Sequence, residues 1–126
     1  MAVLGLGTDI VEIARIEAQL ERGGDRLAKR VLTEAEYVRF QTLSEPARFL
    51  AKRFAAKEAA AKALGTGIGR GVSFQHIHIS NNADGAPQLE FSDGACQRLE
   101  TLGAKRALLS IADERHYAVA TVVLSD

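Results

Sequence analysis

The chain has a single cysteine, no net charge at neutral pH, and no apolar run near the roughly 20 residues that a bilayer-spanning helix needs. With Cys96 alone there is no internal disulfide, and no cysteine–histidine cluster points to zinc. The N-terminus lacks a basic start followed by a long apolar stretch, so no secretory signal and no membrane segment are expected. A cytoplasmic protein fits these absences. The zero balance also argues against a protein dedicated to nucleic acid. Repeats, low-complexity stretches and linkers are missing too, and 126 residues read most simply as one domain spanning 1–126.

What is present is unevenly spread. Residues 48–70 hold six basic side chains (Arg48, Lys52, Arg53, Lys57, Lys62, Arg70) against Glu58 alone. Residues 80–126 carry four basic side chains against seven acids. The first region reads as built to meet anions while the second compensates.

The periodicity predicts an α+β fold, a long central helix packed on a mainly antiparallel sheet, with helices mostly in the first half. VLGLGTDIV at 3–11 reads as a short buried strand ending in Thr8-Asp9. Residues 12–21 predict a helix with Ile13, Ile16 and Leu20 on one face, followed by a short helical piece, DRLAKRVL. Thr33 and Glu36 fit a capping box, opening a helix with Tyr37 and Phe40 inward. Ser44, with Pro46 just inside, opens the long helix that Gly65 ends. VSFQHIHIS and PQLEF then read as strands around the turn NNADG, residues 93–102 as a helix closed by Gly103, and RALLSIA and YAVATVVLS as two further strands. The alternation places His76 and His78 together on the less buried face of a strand, without a third metal ligand nearby. Cys96 has no activating cluster and reads as a packing residue.

Candidate chemistry lies on the long helix. Phe54, Ala55, Glu58, Ala61 and Lys62 share a face by i+3 and i+4 spacing, a setting too apolar for an unpaired carboxylate. Glu58 paired with Lys62 as an ordinary surface couple, worth about 0.2–0.5 kcal/mol, explains this segment as well as a functional role does. Asp9, at the end of an apolar strand, tips the balance: two carboxylates from separate elements could share a hard cation. Magnesium favours a few carboxylates, several waters and substrate phosphate oxygens. Lys62, one turn on, could contact the same phosphates, and the glycines at 65, 67, 69 and 71 would let a ligand approach the backbone. Together these parts fit magnesium-assisted transfer of a phosphorylated group. A coenzyme A or nucleotide-binding module that does not turn its ligand over is the second reading, and would not need Asp9 and Glu58 to share a metal. A nucleic-acid binder is a third, weakened by the lack of interleaved aromatics.

LGLGTDIVEIARIE at 4–17, RFLAKRFAAKEAAAKALGTGI at 48–68 and SIADERHYAVATVVL at 110–124 resemble the holo-acyl-carrier-protein synthases, the small bacterial class of 4′-phosphopantetheinyl transferases. The G-T-D-I-V-E-I opening and the F-x-x-K-E-x-x-x-K helix are the specific parts, and the resemblance covers essentially the whole chain. It implies magnesium-dependent transfer of 4′-phosphopantetheine from coenzyme A to a serine of apo acyl carrier protein, in support of fatty acid biosynthesis. By match to the motif, Asp9 and Glu58 would hold magnesium and Lys62 would neutralise phosphate charge. Arg48, Phe49 and Arg53 would lie at the nucleotide end, and Gly65, Thr66 and Gly67 in a ligand-facing loop. A metal-linked water is the preferred proton acceptor, with Glu58 second. The carrier protein would meet Arg15, Arg22, Arg26 and Lys29, which a continuous helix would place close to one face, although a solvated face accounts for these residues as well. A homotrimer with coenzyme A between subunits is also implied. The chain departs from many relatives at Ala112-Asp113, where they have Ser/Thr-His, so the family's histidine contact is not transferred to Asp113 or His116.

Overall fold

The computed structural model describes residues 1–126. In chain order it contains β1 (Val3–Glu12), α1 (Ile13–Gly23), α2 (Arg26–Val31), α3 (Glu34–Phe40) and α4 (Pro46–Ala63). A 3-10 turn at Phe74–His76 leads into β2 (Ile77–Asn81), β3 (Pro87–Phe91), α5 (Asp93–Thr101), β4 (Arg106–Asp113) and β5 (Tyr117–Ser125). One antiparallel sheet has the order β1-β5-β4, and β2 and β3 form a separate ribbon. The α+β architecture with a long helix against an antiparallel sheet is the one the sequence predicts. No helix is long and apolar enough to cross a membrane.

The core lies between α4 and the inner face of the three-stranded sheet. From the sheet come Val11, Ala118, Ala120, Val122 and Leu124, all buried. From α4 come seven buried alanines between Ala51 and Ala63. Alanine has the highest helix propensity and adds almost no side-chain thickness, so the helix is both stable and thin where it meets the sheet. It begins at Pro46, whose missing N–H costs nothing in the first turn; the residue before it is Glu45, not Ser44, and makes no side-chain cap. Gly65 follows the helix with φ +81°, a left-handed conformation that glycine adopts without strain.

Strand β1 is not buried on both sides. Gly5, Gly7, Asp9 and Val11 face α4, while Leu4, Leu6, Thr8 and Ile10 face outward and are exposed. The apolar residues on the outer face made a one-sided strand read as a two-sided one. The glycines explain the inner face. A Cβ on Gly5 would stand 2.2 Å from the carbonyl oxygen of Ala63, and one on Gly7 2.0 Å from that of Ala59. Strand and helix backbones therefore touch directly.

Two further expectations change. The alternation from Val72 breaks because the Ser73 side chain caps a 3-10 turn, accepting from the Gln75 N–H, so β2 starts only at Ile77. His76 lies in that turn with Nδ1 accepting from the Ser73 N–H, and His78 meets Ser92 Oγ at 2.9 Å; they are not neighbours on one strand face. The basic run 15–29 is not one helix either. Gly24, at φ +60°, closes α1 by donating to the Leu20 carbonyl, and α2 starts afresh at Arg26.

Candidate active site

The direct contact between β1 and α4 brings the carboxylates together. Two residues of strand rise about 6.8 Å and four residues of helix about 6 Å, so Gly5 over Ala63 and Gly7 over Ala59 keep step. One further step along β1 is Asp9, opposite the turn that carries Glu58. The two acids are close enough for their charges to act on each other.

Lys62 does not pair with Glu58, as i, i+4 spacing suggests. Its Nζ donates to Asp9 Oδ1 at 2.9 Å and to the Thr8 carbonyl at 3.1 Å, linking helix to strand. Glu58 makes no ion pair. Burial pushes its carboxyl above the usual carboxylate range and Asp9's charge adds to that, while Lys62 and Arg30 pull it back. A half-buried carboxylate beside a second one, with a single lysine between helix and strand, is short of positive charge. No group of three or more histidine, cysteine or acidic side chains stands here as an all-protein cage. This donor set fits a magnesium ion that completes its shell from waters and phosphate oxygens.

The expected nucleotide-end residues lie nearer the start of α4. Arg53 is almost fully buried, with its guanidinium 4.7 Å from the Phe49 ring centroid and its Nε without a hydrogen-bond partner. Both residues line a cleft of about 350 Å³ with Arg39, Lys52, Asn81 and Gly85. Arg48 turns to the β4–β5 connection instead. It donates to Asp113 Oδ2 at 2.9 Å and to the carbonyls of Glu114 and Arg115. Asp113 also lies 3.6 Å from Lys52 Nζ, so the residue standing where many relatives have histidine offsets part of the local positive charge.

The backbone N–H groups of the glycine loop are used to close the helix. The N–H groups of Gly65, Thr66 and Gly67 donate to the carbonyls of Ala61 and Lys62, satisfying the C-terminus of α4. They follow a helix C-terminus, the negative end of its dipole, and form no phosphate cradle of the kind found at helix N-termini. Nothing lies within 4 Å of where a Gly67 Cβ would stand, so that side of the loop is open.

Among the basic residues of α1 and α2, Arg22 and Arg26 line one open cleft of about 310 Å³ with Gln19, Leu27 and Arg30. Arg15 is exposed outside that lining, and Lys29 sits over the Tyr37 ring at 5.8 Å. Arg30 lines this cleft, and its charge also pulls down the Glu58 pKa. Sequence reasoning left it out of the binding set because the spacing was counted along a continuous helix.

The larger omission is Lys57. Counted with the anion-facing bases, it is fully buried, and Arg53 nearly so. Lys57 Nζ pairs with Glu36 Oε1 at 2.7 Å and donates to the carbonyls of Val31 and Phe74. The available signal was its place one turn past Arg53 and Phe54 and one turn before Ala61, on the inward side of the helix.

A family model described as the 4′-phosphopantetheinyl transferase superfamily matches residues 5–122. The chain is 72% identical over 124 residues to the holo-[acyl-carrier-protein] synthase of Shewanella frigidimarina, covering 98% of each. Among solved structures, it matches holo-[acyl-carrier-protein] synthase from Neisseria meningitidis with a TM-score of 0.92 at 42% identity, covering 99% of this chain and 100% of that one. The Helicobacter pylori holo-[acyl-carrier-protein] synthase in complex with coenzyme A matches with a TM-score of 0.83 at 34% identity, covering 95% of this chain and 99% of that one.

Proposed function

The chain belongs to the 4′-phosphopantetheinyl transferase superfamily, and from that premise we propose that residues 1–126 form one transferase domain acting between coenzyme A and apo acyl carrier protein. It transfers 4′-phosphopantetheine to a serine hydroxyl, giving holo acyl carrier protein and adenosine 3′,5′-bisphosphate, in support of fatty acid biosynthesis in the cytoplasm. The serine oxygen bonds to the phosphorus that bears pantetheine, the bond from that phosphorus to the nucleotide phosphate oxygen breaks, and the serine proton is lost. The observation that carries the reading is the meeting of Asp9, Glu58 and Lys62 across the β1–α4 contact.

Asp9 and Glu58 would hold magnesium, which supplies positive charge for the pyrophosphate and the departing nucleotide. Lys62, half exposed on the same helix face, can leave Asp9 for a phosphate oxygen. Arg53 and Phe49 form a cationic and aromatic wall for the nucleotide, Arg48 would reach it by leaving Asp113, and Gly65–Gly67 give the ligand open backbone past the end of α4. A carboxylate that holds magnesium is a poor proton acceptor, so a metal-linked water is the preferred base for the serine proton, with Glu58 second. Arg22 and Arg26, with Arg15 and Lys29 around them, offer an acidic carrier protein a basic approach that leads past Arg30 to Glu58.

A homotrimer is supported by the outer sheet face. Leu6 and Ile10 on β1 are 65% and 62% exposed, and Leu108 on β4 is 53% exposed. Leu6 and Leu108 both pair with Val123, making an apolar band that a second copy would cover.

Intact-mass spectrometry of apo acyl carrier protein incubated with this protein, coenzyme A and magnesium tests the reading. A phosphopantetheine mass gain is expected there, and not with a chelator or with Glu58→Gln. Gain in all three would keep the reaction and discard the metal site. No gain in any, with a carrier protein modified by another transferase, would leave ligand binding without turnover. Arg26→Glu is expected to raise the Michaelis constant for the carrier protein about tenfold and leave that for coenzyme A unchanged; equal damage to both would reject the docking face.

A further inference from the structure

Lys57 is the residue immediately before Glu58, yet it points into the protein. Its ammonium has three acceptors from three other elements: Glu36 Oε1 of α3, the Val31 carbonyl of α2 and the Phe74 carbonyl of the 3-10 turn. Glu36 is equally engaged. It accepts from the Thr33 N–H, closing the capping box, and through Oε2 from the Ile79 N–H of β2. Every polar group of this pair is satisfied, and together they tie α4 to four neighbouring segments.

The opposite side of α4 is held differently. There the carbonyls of Ala59 and Ala63 touch Gly7 and Gly5 of β1. At about 100° per residue, Lys57 points about 160° away from Ala59, so the two attachments grip nearly opposite sides of the helix. Glu58 falls between them, about 100° from each. Toward the sheet α4 presents alanines, which bury no large knob; its large buried side chains are Leu50 and Arg53 nearer its start and Lys57 beside Glu58. The strand contact sets how near the helix comes, and the Lys57 pair is the buried anchor against turning next to Glu58.

We propose that Lys57, through its buried pair with Glu36, is a positioning residue that sets the rotation of α4 and so holds the Glu58 carboxylate opposite Asp9. The proposal rests on the reading of Asp9 and Glu58 as the magnesium pair. A rotation of about 20° at the helix surface, about 5–6 Å from its axis, moves a carboxylate by about 2 Å. Misplacement of about 1 Å can cost a factor of about 100 in rate. The pair is therefore part of the site's geometry without touching substrate.

The test uses the double variant Lys57→Met with Glu36→Gln, which removes both charges and leaves neither one buried alone. Magnesium is titrated calorimetrically into each protein saturated with coenzyme A, without carrier protein, at a temperature where circular dichroism shows full helix. The expected result is magnesium binding weakened about tenfold or more, with the turnover number falling and the Michaelis constant for coenzyme A within about twofold of the wild type. A folded variant with wild-type magnesium affinity overturns the proposal. If the double variant does not fold, Glu36→Asp carries the same comparison, because it keeps both charges and shortens the reach from α3 to Lys57. Absence of magnesium binding by the wild type would instead overturn the metal-site reading on which the proposal stands.

Discussion

Two lysine–carboxylate pairs of helix α4, five residues apart, have nearly equal separations and opposite circumstances. Lys57–Glu36 spans 2.7 Å with both side chains buried, whereas Lys62–Asp9 spans 2.9 Å with Lys62 half exposed. The buried pair has fixed hydrogen-bond partners on every side and no room to rearrange. Lys62 keeps a flexible stem in water and can trade one anion for another at little cost. Similar distances thus describe an anchor in one case and a mobile contact in the other. What distinguishes them is how much water each loses and how many other partners each has.

The comparison is broken most forcefully by Lys57→Met alone. It leaves the Glu36 charge buried without its partner and should lower unfolding free energy by about 3–5 kcal/mol in urea titration. A loss under about 1 kcal/mol would mean that Glu36 finds water or protonates readily. Lys62→Met should show the reverse profile, with stability within about 1 kcal/mol of the wild type and turnover lower by about 100-fold. Gly7→Ala tests the geometry beneath both pairs. The new methyl would stand 2.0 Å from the Ala59 carbonyl oxygen, so the strand must move outward, at about 1–3 kcal/mol with a loss of activity. Full activity in a folded Gly7→Ala variant would detach the strand–helix contact from function.

The smallest effect concerns pH. Burial and Asp9 raise the Glu58 pKa, so in the metal-free protein the folded state holds this proton more tightly than the unfolded state. Glu58 contributes stability below the ordinary carboxylate range and loses it as pH rises through the raised value. Glu58→Gln should therefore melt slightly higher than the metal-free wild type at pH 8, with the advantage shrinking as pH falls toward 4. A lower melting temperature at pH 8 would mean that the ionised Glu58 is favourably solvated.

Most elements could be read from local pattern because their signals are local. Thr33 and Glu36 announce the start of α3 through the capping box, and Pro46 and Gly65 bracket α4. The site pair Asp9 and Glu58 was legible because carboxylates in apolar surroundings require a reason. Lys57 was not, because a lysine on a charged helix usually reaches water and its acceptors come from three distant segments. The second oxygen of Glu36 was hidden for the same reason: the capping box accounts for one acceptor, and only the tertiary fold brings the Ile79 N–H to the other. In β1 the pattern misled, since glycine on the inner face and leucine on the outer face invert the usual cue for burial.

The glycines of β1 also bear on any attempt to move this chemistry elsewhere. Copying Asp9, Glu58 and Lys62 onto another strand and helix would transplant the reactive side chains but not their spacing. Ordinary side chains keep packed helices about 8–10 Å apart, and a strand with a Cβ at the positions of Gly5 and Gly7 could not approach α4 as β1 does. The unit that would have to be grafted is the bare stretch of backbone beneath the carboxylates, two residues that take no part in the reaction.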